Sequence, residues 1–285
     1  MSEQGYFKAD DGVKLFYRFH RHSQERAVMV IVHGHGEHSG RYEKFSRIFQ
    51  DLPISLALYD ARGTGRSEGS EVYVSSFQQF VSDLTVFRNF LRDQFGVRRR
   101  IVLLGHSLGG LVSVYWAMGP GREEIDAMIL SSPCLGLNLP PALICFNSML
   151  NRFVPGFIYK NPVYPPHLSH NPEEIELYKQ DPYIKRKISV RLLSEMITYG
   201  RKLSDIPEFQ FPFPLYILMA GMEKVVDKTK TRIFFERIKA PRKELFEFEG
   251  FYHEIFNELG QEKVFDTLKT CLDASGALKG GLPDA

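Results

Sequence analysis

Apolar positions along this chain switch regularly between a period of two and a period near 3.6. Residues 13–20, 27–32 and 54–59 read as strands. The spacing predicts a helix over 39–49, with Tyr42, Phe45, Ile48 and Phe49 along one stripe. Phe77, Phe80, Leu84, Phe87 and Leu91 mark one face of a longer helix. Residues 101–104 and 127–130 are short continuous apolar runs, the form of buried strands. The alternation resumes with a strand over 215–219, a helix over 229–238, a strand over 244–248 and a closing helix over 262–272. Such βαβα order predicts an α/β fold: a mostly parallel central sheet with helices on both faces. Residues 276–285 read as a frayed tail.

The pattern breaks between 134 and 211. No clean strand shows there, and prolines are frequent (Pro140, Pro141, Pro162, Pro165 and Pro166 among them). A structureless loop of that length is improbable in a compact domain. The stretch reads instead as a mostly helical cap, or lid, over the carboxyl edge of the sheet, where ligands of open α/β sheets bind. The organisation expected is a core of 1–133 and 212–285 with a cap of 134–211. A small packing unit without a binding role is the alternative.

Composition narrows the partners. The chain has 285 residues, 44% of them hydrophobic and 25% charged, with a net charge of +2. These are ordinary soluble values and give no reason to expect nucleic acid. Arg98-Arg99-Arg100 is the one tight basic run and reads as a solvated loop. Cys134, Cys145 and Cys271 are widely spaced, which suits free thiols in a reducing compartment. The polar start lacks a signal-peptide pattern, and no apolar run reaches the length of a membrane span. A cytoplasmic protein is expected, with peripheral membrane contact left open. No cofactor is expected: Gly63 and Gly65 lack the third spaced glycine of a dinucleotide fingerprint.

The chemistry centres on Gly105-His106-Ser107-Leu108-Gly109. A G-x-S-x-G run between an apolar strand and an apolar helix has the layout of a nucleophile elbow, which holds a serine Oγ exposed at the top of the sheet. A serine hydroxyl needs a base, and the base needs an acid to fix its tautomer. In elbows of this kind the chain order is serine, acid, histidine. His167 and His170 fall in the expected cap, whereas His253 follows the last strand as a base should. Glu223 and Asp227 both lie beyond the preceding strand. Glu223 is favoured as the acid, because Asp227 is well placed to cap the next helix. The oxyanion donors expected are the N–H of Leu108, just after the serine, and that of His35 in the early loop His33-Gly34-His35-Gly36-Glu37-His38.

Three segments carry a family resemblance. The run from His33 to Tyr42 resembles the oxyanion segment of monoacylglycerol lipases and bacterial lysophospholipases. Asp60-Ala61-Arg62-Gly63-Thr64-Gly65-Arg66-Ser67-Glu68-Gly69 is similar to their D-x-x-G-x-G-x-S-x-G loop, and residues 105–110 match their elbow. The resemblance implies an α/β-hydrolase fold with an inserted helical cap, cleaving acyl esters of glycerol lipids. It implies Ser107 as nucleophile, His253 as base, Glu223 at the acid position and His35 and Leu108 as oxyanion-hole residues. Glu223 departs from the aspartate of many members, although the lysophospholipase branch is similar in having Glu. The substrate expected is a lipid-like small molecule. Its acyl chain is assigned to cap residues such as Leu143, Phe146, Met149, Leu150 and Phe153, and the same apolar cap is where membrane contact is expected.

Other readings stay open. Some relatives are classed as serine aminopeptidases, which keeps amide substrates and small esters in play. His33-x-His35-x-Glu37-His38 also resembles the ligand run of binuclear zinc hydrolases, but no second ligand set is evident. A structural hydrogen-bonding role is the expectation for His33 and His38. A binding scaffold without catalysis is allowed by the fold alone. Against it stands the presence of nucleophile, base, acid and donor loop in the required order.

Overall fold

The computed structural model describes residues 2–97 and 100–279. The chain runs through β1 (Ser2–Lys8), β2 (Lys14–His20), β3 (Ala27–Val32), α1 (Lys44–Ile48), β4 (Ile54–Tyr59), α2 (Gln78–Phe95), β5 (Ile101–His106), α3 (Leu108–Met118) and β6 (Ala127–Ser131). The insertion then carries α4 (Pro141–Phe153), β7 (Ile158–Lys160), α5 (Pro172–Gln180), β8 (Lys187–Ser189), α6 (Val190–Ser204) and β9 (Phe209–Gln210). The core resumes with β10 (Leu215–Ala220), α7 (Lys228–Arg237), β11 (Ile238–Lys239), β12 (Lys243–Phe248) and α8 (Glu262–Ser275).

Eight strands form the main sheet in the order β1-β2-β4-β3-β5-β6-β10-β12. Only the pairings β1–β2 and β2–β4 are antiparallel. A parallel strand must be covered on both faces, and β3 shows how. All six of its residues are buried. Val28, Val30 and Val32 pack into the cluster that holds α2, α3 and α6, whereas Ala27, Met29 and Ile31 face α1 and α8. At about 1.5–3 kcal/mol for each large aliphatic side chain buried, packing rather than strand propensity holds such a run. This is an α/β-hydrolase fold.

Several expectations need correction. β1 went unforeseen because it is a polar edge strand: only Phe7 is buried in it, so it carries no apolar alternation. The helix expected over 39–49 is split into a 3-10 turn at Ser39–Tyr42 and the short α1. Ser39 N–H is held by Asp60 Oδ1 at 2.7 Å and Gly40 N–H by the His38 ring at 3.1 Å, which tightens the first turn. The insertion is not free of strands: β7 and β8 pair antiparallel, and β9 pairs with β11. These strands of two or three residues are too short to show a period. Ala277 and Leu278 are buried rather than frayed, and Gly280–Ala285 lie outside the described residues, as do Arg98 and Arg99.

The tightest backbone approach lies beside the elbow. A Cβ on Gly109 would stand 2.0 Å from the Val32 carbonyl oxygen, and one on Gly105 2.6 Å from the Gly109 oxygen. Gly109→Ala is therefore expected to lower stability by about 3 kcal/mol or more, because the obstacle is backbone and cannot rotate away. A thermal unfolding midpoint within a degree or two of wild type would contradict this.

Candidate active site

The site sits at the carboxyl ends of the central strands. Ser107 stands between β5 and α3, as the N-cap of α3, with φ 51° and ψ −117°, a conformation that L-residues rarely adopt. The strain is held by the turn's own hydrogen bonds. Ser107 N–H donates to the Ser131 carbonyl at 3.0 Å, and the Ser107 carbonyl accepts from Gly110, Leu111 and Cys134. Leu108 N–H, at the first turn of α3, has no acceptor within the helix.

His253 follows β12, and its Nδ1 lies 2.8 Å from Glu223 Oε2. The His253 side chain is 4% exposed and that of Glu223 is fully buried. The other oxygen of Glu223 accepts the N–H groups of Val225 and Val226, at 2.7 and 3.2 Å. Burial alone would raise the Glu223 pKa, but the His253 charge and these donors overcome it and hold the carboxyl below its ordinary value. Burial alone would likewise lower His253, yet the Glu223 charge and hydrogen bond outweigh it and raise the imidazole pKa. An ionised Glu223 can only accept, so Nδ1 carries the proton and Nε2 is the basic nitrogen. Asp227 takes no part in the pair: it caps α7 by accepting Thr229 N–H at 2.9 Å.

Ser107, His253 and His35 all line one cavity of about 250 Å³. Its apolar wall comes from Leu137, Leu139, Val163, Leu168, Ile188, Leu193 and Met196, so the insertion closes over the core's loops. The five α4 residues expected to hold an acyl chain are placed elsewhere. Phe146, Met149 and Phe153 are 53%, 54% and 73% exposed, Leu143 and Leu150 are half-buried, and none of the five lines this cavity. The cause is Asn147, the one buried residue of α4. Its amide donates to Val190 O and Ser194 Oγ and accepts from Tyr159 Oη, which turns the helix's polar position inward and its apolar stripe out.

The early loop is braced by groups that the motif analysis left without a role. Glu37 accepts Gly34 N–H at 2.8 Å and Tyr42 Oη–H at 3.0 Å. Arg41 reaches Glu37 at 3.3 Å and grips Glu254, the neighbour of His253, with two bonds of 2.9 and 2.7 Å. One guanidinium thus balances two buried carboxylates, from the loops on either side of the cavity. Their pairing in space was not readable, although the Glu37–Arg41 spacing of four was. Asp60 joins the loops from below, accepting Ser39 N–H and Arg66 N–H at 2.7 and 2.8 Å. Hydrogen bonds engage both ring nitrogens of His33, on Gly34 O and Ala61 N–H. The same holds for His38, on Gly40 N–H and Asp181.

Fold and site together define a hydrolase of the α/β class. The family model of the serine aminopeptidases, S33, matches residues 23–260. Phospholipase YtpA of Bacillus subtilis is 32% identical over 249 residues, covering 87% of this chain and 95% of its own. The human monoglyceride lipase is 32% identical over 261 residues, covering 87% and 82%. Among solved structures, the monoacylglycerol lipase of Paleococcus ferrophilus superposes with a TM-score of 0.82 at 27% identity, covering 92% of this chain and 99% of that one. A soluble variant of the Saccharomyces cerevisiae monoglyceride lipase, in complex with a substrate analog, has a TM-score of 0.87 at 21% identity over 96% and 95%, a likeness of fold. The protein belongs to this family, which takes in the monoacylglycerol lipases and lysophospholipases, and is an ester-hydrolysing enzyme.

The balance at His253 can be read directly. Its ring should titrate above about 6.5 in the wild type. In Glu223→Gln the opposing charge is gone, burial prevails, and titration should move below that value. Ring-nitrogen NMR against pH measures both. An unchanged pKa in the variant would mean that Glu223 does not govern the imidazole.

Proposed function

We propose that the protein hydrolyses carboxylic esters of glycerol lipids, either monoacylglycerols or lysophospholipids, through an acyl-enzyme on Ser107. The observation that carries this is that His253, which shares the lining of one cavity with Ser107, is held from behind by the buried Glu223. His253 Nε2 takes the Ser107 proton as Oγ attacks the acyl carbonyl, and Glu223 stabilises the resulting imidazolium. The N–H groups of Leu108 and His35 hold the oxyanion. His253 then protonates the leaving glycerol or glycerophospho alcohol, and a water activated by the same nitrogen releases the fatty acid.

Residues 134–211 act as the cap of a core formed by 1–133 and 212–285. The acyl chain runs along the apolar wall of Leu137, Leu139, Val163, Leu168 and Leu193. The exposed Phe146, Met149 and Phe153 of α4 serve peripheral contact with a lipid surface. No helix among the described residues is long and apolar enough to cross a membrane. Amide cleavage from a free amino terminus is the less supported reading. The two carboxylates lining the cavity, Glu37 and Glu254, are both engaged by Arg41, so neither is free to bind an ammonium.

A panel of monoacylglycerols, lysophospholipids and aminoacyl amides tests the reading. Esters should be cleaved and kcat/KM should rise from acetyl to long acyl chains. Equal values for short and long chains would sink the chain-binding wall, and preferential amide cleavage would sink the ester reading. Ser107→Ala should lose about 10⁴-fold or more in kcat. Glu223→Gln should lose about 10³–10⁴-fold, with Asp227→Asn near wild type. The imidazolium cannot accept a proton, so kcat/KM should rise with pH through the lifted His253 pKa. Loss of activity in Asp227→Asn alone would transfer the acid role to Asp227.

A further inference from the structure

The cap's strand β8 is stitched to the core at one seam. Ser189, at its end, donates both N–H and Oγ–H to the Val72 carbonyl, at 3.3 and 2.8 Å. Lys185 and Lys187 flank Glu71 at 3.5 and 3.8 Å. The remaining contacts of the seam land on the early loop itself. Lys185 N–H donates to the Gly36 carbonyl at 2.8 Å. Gly36 has φ +72°, and a Cβ there would stand 2.4 Å from the Lys185 oxygen, so loop and cap meet backbone to backbone. One residue earlier, His35 Nε2 lies 3.0 Å from the Lys187 carbonyl oxygen. A carbonyl only accepts, so Nε2 carries the proton. Burial pulls the His35 pKa down to about 4, which keeps the ring neutral near pH 7.

From this geometry we infer that the His35 side chain is a positioning group for catalysis: its hydrogen bond to Lys187 O fixes the His35 peptide against the seated cap and so sets the aim of the oxyanion-hole N–H. The inference rests on the assignment of the His35 N–H to that hole. From the other side, Glu37 already holds Gly34 N–H, so the peptide between is clamped at both ends. An oxyanion donor acts only when it is aimed before charge develops, and a loop free to rotate would forfeit most of that benefit. The cap therefore serves the chemistry as well as covering the substrate: where β8 is seated, the hole is formed.

The test compares His35→Leu, which keeps bulk and removes the donor, with His35→Gln, whose amide N–H can reach the same carbonyl. A short soluble p-nitrophenyl ester avoids any effect on acyl-chain binding. His35→Leu should lose about tenfold to a hundredfold in kcat, less than the ~10²–10³ for deleting a donor outright, with KM changed by no more than about twofold. Affinity for a reversible trifluoromethyl ketone, which forms a tetrahedral adduct, should fall by the same factor. His35→Gln should recover most of both. Unchanged kcat in folded His35→Leu, a loss confined to KM, or equal losses in the two variants would each overturn the inference. If His35→Leu fails to fold, His35→Gln decides alone: near-wild-type kcat and ketone affinity support the tether, and a full loss refutes it. Fluorophosphonate labelling of wild-type Ser107 separates this from the wider reading, because absent labelling would refute the serine mechanism itself.

Discussion

Everything at this site depends on how closely α3 approaches the ends of β3 and β5. Ser107 is raised toward the cavity only because the chain reverses at φ 51°, and that reversal brings Gly109 against the Val32 carbonyl. A side chain at either flanking glycine would push the helix off the sheet. The same contact sets Leu108 N–H at the open start of α3, near the loop that follows β3. Ser107 and the Leu108 N–H therefore share one backbone constraint, and the packing of two sheet faces by α2, α3, α1 and α8 supplies the rigidity that holds it.

The second demand is electrostatic. The buried carboxylates in and behind the cavity wall are each matched by a specific partner. Glu223 is held ionised by His253 and two backbone donors, and Arg41 stands between Glu37 and Glu254. An unpaired charge in such surroundings would be far more costly than the pairs are beneficial. The pairings also tie loops that are distant in sequence, since Arg41 follows β3 and Glu254 follows β12. His253 and Glu254, neighbours in sequence, thus carry the two pairings side by side.

The insertion is joined to this frame by the apolar packing of α6 against α2 and α3 and by polar contacts at its loops. His38 to Asp181, Lys185 to Gly36 and Glu254 N–H to Leu168 O each connect it to a loop of the core. Its apolar residues divide by the orientation of α4. Asn147 turns inward and leaves Phe146, Met149 and Phe153 on the surface, while the cavity wall is supplied by the segments around Leu137, Val163 and Leu193.

The core strands β3, β4, β5, β6 and β10 were legible in the sequence because a run buried on both faces must be continuously apolar. The elbow was legible because its turn demands glycines at set spacings. Ser107, His253 and Glu223 could be nominated from chain order. Their juxtaposition could not, since residues 107, 223 and 253 meet only once the sheet has formed. Edge strand β1 and the two- and three-residue strands β7, β8 and β9 escaped notice, being too polar or too short to carry a period. The amphipathic stripe of α4 was visible, but the direction it faces depends on a single buried amide. Periodicity records that a helix has an apolar side; only the tertiary contacts of Asn147 decide whether that side meets the cavity or the solvent.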